Sequence, residues 1–247
     1  MGSIMVVTSG KGGVGKSTVS SCLGAALCKL SKRVLLVDMD EGLRSLDLML
    51  NVSAHTVFDV SDIINGYCNA DQAVLPVASC PGLYLLPAPS KVGAIDSKEA
   101  MQLLCSKLAK AFDYVIIDSP AGIDRGFEFA VCAADNALVV VTPDPVSVRD
   151  GSHVAKLLRN SGVKNIRLVI NKVNTKLMLE GVFYNIDEII DATSVQLIAA
   201  IPTDDAILCS NALGEPLADS YAADAFDRLA ARLENKHIPL INLKKIT

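Results

Sequence analysis

The ten residues from Ser9 to Thr18, SGKGGVGKST, leave few folds open to this chain. They match the spacing G-x-x-x-x-G-K-[ST] at Gly10, Gly15, Lys16 and Ser17, and they follow directly on the apolar run IMVVT at 4–8. A loop of this kind works where a strand hands over to a helix, because loop amides and the helix N-terminus must together face a polyphosphate. The motif therefore predicts a strand at 4–8, a helix opening near Ser17, and a phosphate cradle of Gly10, Gly12, Gly13, Val14 and Gly15. Lys16 is placed to neutralise phosphate charge, the Ser17 hydroxyl to coordinate Mg²⁺, and Thr18 to carry the cradle into the helix. One lysine satisfies the pattern. Lys11 is a second, and the loop by itself does not explain it.

The rest of the sequence repeats the same alternation. VLLVD (34–38), LYLL (83–86), YVIID (114–118), ALVVVT (137–142), IRLVIN (166–171) and LIAAI (197–201) are nearly continuous apolar runs, as strands covered on both faces should be. Segments 17–30, 97–111, 149–160, 184–193 and about 222–234 suit the intervening helices. Strand–helix alternation implies right-handed crossovers and a doubly wound, mostly parallel α/β sheet with helices on both faces. No repeat, low-complexity tract or linker divides it, so we expect one phosphate-loop domain over 1–236 and a tail over 237–247. The stripe Phe226, Leu229, Ala230 and Leu233 reads as the face of the last helix packed on the sheet.

Composition excludes several functions. The formal charge is −4, and Lys and Arg are scattered, so the electrostatic footprint of a nucleic-acid binder is missing and no nucleic acid is expected as a partner. Seven cysteines form no C-x-x-C pair and mostly lie in apolar segments, which reads as reduced core residues of a cytoplasmic protein. No charged leader precedes the phosphate loop, and prolines 76, 81, 87 and 89 interrupt the most apolar loop region. No run approaches the ~18 apolar residues of a membrane span.

Ligands of open parallel sheets sit at the carboxyl ends of the strands, and acidic residues recur there. Asp118 ends YVIID in the manner of a Walker-B carboxylate aimed at a metal. Asp38 and Asp40 follow the second strand two residues apart, so an extended backbone would put both on one side near the phosphates, where one could position an attacking water.

KGGVGKST with Lys11, then VDMDEGLRSLDLML, DSPAGIDRG and PDPVSVRD, resemble the MinD family of septum-site-determining ATPases, within the deviant-Walker-A group that also holds ParA. The likeness runs from about Ile4 to Leu217. It implies ATP and Mg²⁺ as cofactors, and a homodimer in the ATP-bound form in which Lys11 crosses to the partner's phosphates. In that scheme Lys11, Lys16 and Asp40 are catalytic, Asp40 orienting the water. Ser17 and Asp118 hold the metal, and Asp38 assists nearby. Asn171, after strand 166–171, reads adenine, and Pro202 and Asp204 border the purine. The segment Ser147–Asp150 falls where relatives meet a MinC-like inhibitor and a MinE-like or topological regulator; the same residues also read as a helix cap, with Ser147 or Asp150 satisfying backbone amides. The family usually ends in a basic amphipathic membrane-targeting helix. Here Ile238, Leu240, Ile241, Leu243 and Ile246 offer apolar surface and Lys244 and Lys245 suit an anionic membrane, but Pro239 leaves fewer than ten residues for a helix. We expect weak attachment at the inner face of the cell membrane, strengthened by pairing of two tails. Two other readings are a ParA-type or flagellar-placement ATPase and a nucleotide-binding scaffold with negligible hydrolysis.

Overall fold

The computed structural model describes residues 1–243. Lys244, Lys245 and Ile246, which the sequence suggested for membrane contact, lie outside the described residues. One eight-stranded sheet runs through the molecule, built from β1 (Ser3–Thr8), β2 (Val34–Asp38), β3 (Leu75–Pro76), β4 (Leu83–Leu86), β5 (Tyr114–Asp118), β6 (Asn136–Val141), β7 (Asn165–Val173) and β8 (Leu197–Pro202). Its order is β3-β4-β2-β5-β1-β6-β7-β8. All neighbours are parallel except β3, a two-residue antiparallel edge on β4 that the sequence did not signal.

The helices are α1 (Lys16–Lys29), α2 (Ser45–Met49), α3 (Val60–Ile64), α4 (Ala70–Ala73), α5 (Lys98–Leu108), α6 (Arg125–Val131), α7 (Pro145–Asn160), α8 (Thr175–Leu179), α9 (Ile186–Thr193), α10 (Asp205–Leu213) and α11 (Tyr221–Leu233). They cover both faces, because each strand sends alternate side chains to opposite sides. Ile4 and Val6 of β1, with Leu35, Val37, Val115 and Ile117, enter the layer beneath α5, α6 and α7. Met5 and Val7, with Val34, Leu36 and Ile116, enter the layer beneath α1 and α11. The stripe on α11 faces the sheet as its spacing implied: Phe226, Leu229 and Ala230 are each at most 1% exposed, and Leu233 is partly buried against the same layer.

One element departs from expectation for a local reason. Helix α7 begins at Pro145, not near 149, because Asp144 caps it and Pro occupies its first position. Ser147 still satisfies a backbone amide, since its Oγ accepts from Thr142 N at 2.9 Å, whereas Asp150 pairs with Arg149. The described part of the tail lies against the body. Arg232 and Arg228 donate to the carbonyls of Ile238 and Pro239 at 2.8 and 3.1 Å, and Ile241 is buried.

Candidate nucleotide site

The sheet order brings the site together. Asp118 at the end of β5 is in register with Asp38 on one side and Val7 on the other, so the ends of β2, β5 and β1 form one platform. The loop from Ser9 to Gly15 leaves β1 above it and delivers Lys16 into the first turn of α1. Gly15 caps that helix at φ +92°, and a Cβ there would lie 2.5 Å from Asn171 Nδ2. Gly10 is fixed by packing instead, since its Cβ would lie 2.7 Å from the Asp150 carbonyl of α7. Other residues at either place would displace the loop.

Lys16 is buried, and its Nζ donates to Ser9 Oγ at 3.2 Å, while Ser9 Oγ donates to the Lys11 carbonyl at 2.8 Å. Burial pulls the Lys16 pKa down, and the charges of Asp118 and Asp40 pull it partly back. The carboxylates shift the other way. Asp38 is pushed up to about 7, by burial first, with the Asp118 charge adding to it against amide hydrogen bonds from Asp40 and Leu46. Asp118 is pushed up to about 6, again by burial, against hydrogen bonds from Ser17 and Ser20 and the charge of Lys16. Asp40 is raised by burial as well, and Lys16 opposes that. Three carboxylates thus face one buried ammonium, an arrangement that favours a further cation.

That donor set fits Mg²⁺, which is bound by one or two protein groups together with phosphate oxygens and water, not by an all-protein cage. Ser17 and Asp118 are hydrogen-bonded to each other, and among the described residues no cluster of three or more His, Cys, Asp or Glu could enclose an ion alone. At the base of the loop Thr8 Oγ1 is buried with no partner among the described residues. Ser20, one turn after Ser17 on the same helix face, donates to Asp118 Oδ1 at 2.8 Å. The sequence reading missed it, although the three-residue spacing from Ser17 was there to be read.

Asp38 and Asp40 do not play equal parts. The Asp38 oxygens accept from the amides of Asp40 and Leu46 at 2.9 and 3.3 Å, so Asp38 shapes the loop that presents the half-buried Asp40. Asn171 Nδ2 donates to the Val14 carbonyl at 2.8 Å, and Lys172, at φ +54° and unforeseen from sequence, donates to the Gly13 carbonyl at 2.7 Å. These two residues fasten the cradle to the end of β7. Pro202 ends β8, buried. Asp204, expected beside the purine, has both oxygens engaged by helix amides, from Ala206 at 2.9 Å and Ala222 at 3.0 Å, so it ties α10 to α11. Lys11 stands apart from this interior. Its side chain is 43% exposed at the mouth of the loop, and its Nζ meets Asp144 Oδ1 at 3.2 Å.

A glycine-rich loop closing β1, a buried lysine and an acidic platform define a phosphate-loop nucleoside-triphosphatase site. The ParA family model, described as NUBPL iron-transfer P-loop NTPase, matches residues 1–236. The septum site-determining protein MinD of Synechocystis sp. is 40% identical over 98% of this chain and 93% of its own. A chain of the MinC:MinD cell division protein complex of Aquifex aeolicus superposes with a TM-score of 0.90 at 34% identity, over 97% of this chain and 99% of that one. MinD of Pyrococcus horikoshii, complexed with Mg-ADP, superposes with a TM-score of 0.85 at 25% identity, over 95% and 96%. The chain belongs to the MinD family within the ParA-type P-loop NTPases.

Proposed function

We propose that this chain is an ATP-driven switch that positions the division septum by holding a MinC-type inhibitor, with Mg²⁺-ATP controlling formation of a homodimer. The observation that carries the reading is the division of labour between the two loop lysines: Lys16 is buried among the carboxylates, while Lys11 is exposed at the mouth and held by a neighbour it can leave.

The residues divide the work of phosphoryl transfer, in which positioning and charge stabilisation supply most of the catalysis. The loop amides and the N-terminus of α1 hold the polyphosphate in place. Lys16, already desolvated by burial, meets the β- and γ-phosphate charge. Ser17 and Asp118 would hold Mg²⁺, whose positive charge would offset that of the phosphate oxygens. Asp40, on the loop set by Asp38, orients the attacking water. In the pair of subunits Lys11 exchanges Asp144 for the triphosphate of the other copy, so stable pairing and turnover both require ATP.

The match to the MinC:MinD complex supports a MinC-type protein as partner; its docking near α7 follows only from the family resemblance of Ser147–Asp150. A MinE-like or topological regulator would act on the same dimer. No helix among the described residues is long and apolar enough to cross a membrane, so membrane attachment would fall to the 237–247 tail and require Ile241 and its neighbours to leave the body. Two tails per dimer would make that attachment follow ATP. The test is sedimentation with anionic vesicles in ADP and in a slowly hydrolysed ATP analogue, using the full chain and a chain ending at Lys236. Pelleting that needs both the analogue and the tail is the expected result; equal sedimentation in every condition would remove the membrane step.

A further inference from the structure

The seven cysteines occupy different environments. Cys22, Cys68 and Cys105 are buried and Cys209 is exposed, but Cys28, Cys80 and Cys132 are half-buried. Two of the half-buried thiols meet. Cys28, in the last turn of α1, donates its S–H to the sulfur of Cys80, in the turn leading into β4. Both pack on the same apolar cluster beneath α1. Their backbones are pinned: Ser31 N donates to the Cys28 carbonyl at 2.8 Å, Cys80 N to Val77 at 3.0 Å, and Leu83 N to the Cys80 carbonyl at 3.0 Å. Gly82, at φ +95°, turns the chain beside Cys28, with its Cβ position 3.5 Å from the Cys28 sulfur.

The two thiols are not equivalent. The hydrogen bond from Cys28 holds the Cys80 pKa below the ordinary thiol value against burial, and the Lys29 ammonium adds to that effect, whereas the donor Cys28 is pushed up. Cys80 also lines a narrow cleft of about 30 Å³, shared with Cys22, Ser79, Ser210 and Asn211. That space is enough for a water-sized molecule to reach the sulfur. The neighbouring pair Cys105 and Cys132 makes the contrast, because burial pushes those thiols up to about 12 and about 11 and neither supplies a thiolate.

We propose that Cys80 and Cys28 form a peroxide-reactive dithiol that closes to an intramolecular disulfide. The Cys80 thiolate attacks one oxygen of hydrogen peroxide; the O–O bond breaks, an S–O bond forms, and the departing hydroxide takes up a proton as water. Cys28 sulfur then attacks the sulfenic sulfur of Cys80. The S–S bond forms as the S–O bond breaks, and the Cys28 proton leaves with hydroxide as a second water. Two thiols together lose two electrons, and one peroxide is reduced to two waters.

The test is peroxide treatment of the reduced full-length chain, followed by alkylation, thiol counting and peptide mapping. The expected result is a fall from seven free thiols to five, with one cross-linked peptide joining Cys28 to Cys80. Cys28→Ser should stop at a sulfenic acid on Cys80 that dimedone captures, and Cys80→Ser should retain all of its remaining thiols at the same dose. Seven thiols surviving a dose that oxidises free glutathione would overturn the proposal, as would a disulfide between any other pair or oxidation of Cys209 with Cys28 and Cys80 intact. The map of the unsubstituted chain decides the matter even where a variant fails to fold.

Discussion

The two ends of the sheet handle charge in opposite ways. At the amino ends of the strands several charges are paired: Asp113 Oδ2 accepts from Arg33 N at 2.8 Å, the Arg33 guanidinium lies over the rings of Tyr84 and Phe112, and Glu234 takes both Lys32 and the Tyr114 hydroxyl, the latter at 2.6 Å. At the carboxyl ends, Asp38, Asp40 and Asp118 crowd around Lys16, and the two most buried carboxyls are pushed up to about 7 and about 6. One end is a finished structure. The other holds uncompensated charge that a cation and a polyphosphate would complete, which is how stability is given up at a functional site.

The contrast is open to test, and the largest effect should come from the residue that bridges the site to its surroundings. Lys11→Ala should lower steady-state phosphate release by ~10³ to 10⁵-fold, the range for a cation supplied across an interface in phosphate-loop enzymes, while a fluorescent ADP analogue still binds. Asp40→Ala should lower phosphate release by ~10² to 10⁴-fold with nucleotide binding kept. Equal rates from this variant and the native chain would leave Asp40 without a catalytic role.

Stability should then change with opposite sign at the two ends. Asp118→Asn removes a buried charge, so without nucleotide the variant should melt higher by about 2–4 °C, equivalent to about 1 kcal/mol in a chain of this size. It should also lose the added stability that Mg²⁺-ADP gives the native chain. Glu234→Gln should instead melt about 2 °C lower with or without nucleotide, a small loss because its ion pair is partly exposed. Lys32 first, and the Tyr114 hydroxyl next, hold the Glu234 pKa below its ordinary value. A carboxyl with a depressed folded pKa contributes fully above its unfolded value of about 4.3 and loses that contribution as pH falls through the folded pKa. The melting difference between native chain and Glu234→Gln should therefore be constant from neutral pH to about 5 and vanish in more acid buffer.

The same contrast explains what could be read in the sequence. The strands and α1 were legible because continuous apolar runs and a loop of fixed spacing report local necessity. Lys16 was legible from its place in a loop of fixed spacing and Asp118 from its place at the end of an apolar strand, although the partners of Asp118, Ser17 and Ser20, are distant from it in sequence. Partners across the fold left weaker marks. Asp144 facing Lys11, Lys172 on the Gly13 carbonyl and Asp204 between α10 and α11 depend on which strands the sheet sets side by side. Helix α7, expected over 149–160, opens instead at Asp144-Pro145, a capping signal present in the sequence that the structure uses. The short α2, α3 and α4 and the edge strand β3 fell below the length at which periodicity is decisive.

The central claim is that Lys11 makes pairing of two subunits conditional on ATP, and the most direct measurement is molar mass by light scattering on the sized full-length chain. With Mg²⁺ and a slowly hydrolysed ATP analogue the native chain should elute with twice the mass it has in ADP, and Lys11→Ala should keep the ADP mass in both. A dimer formed equally well by Lys11→Ala, or a native chain whose mass ignores the nucleotide, would contradict the account.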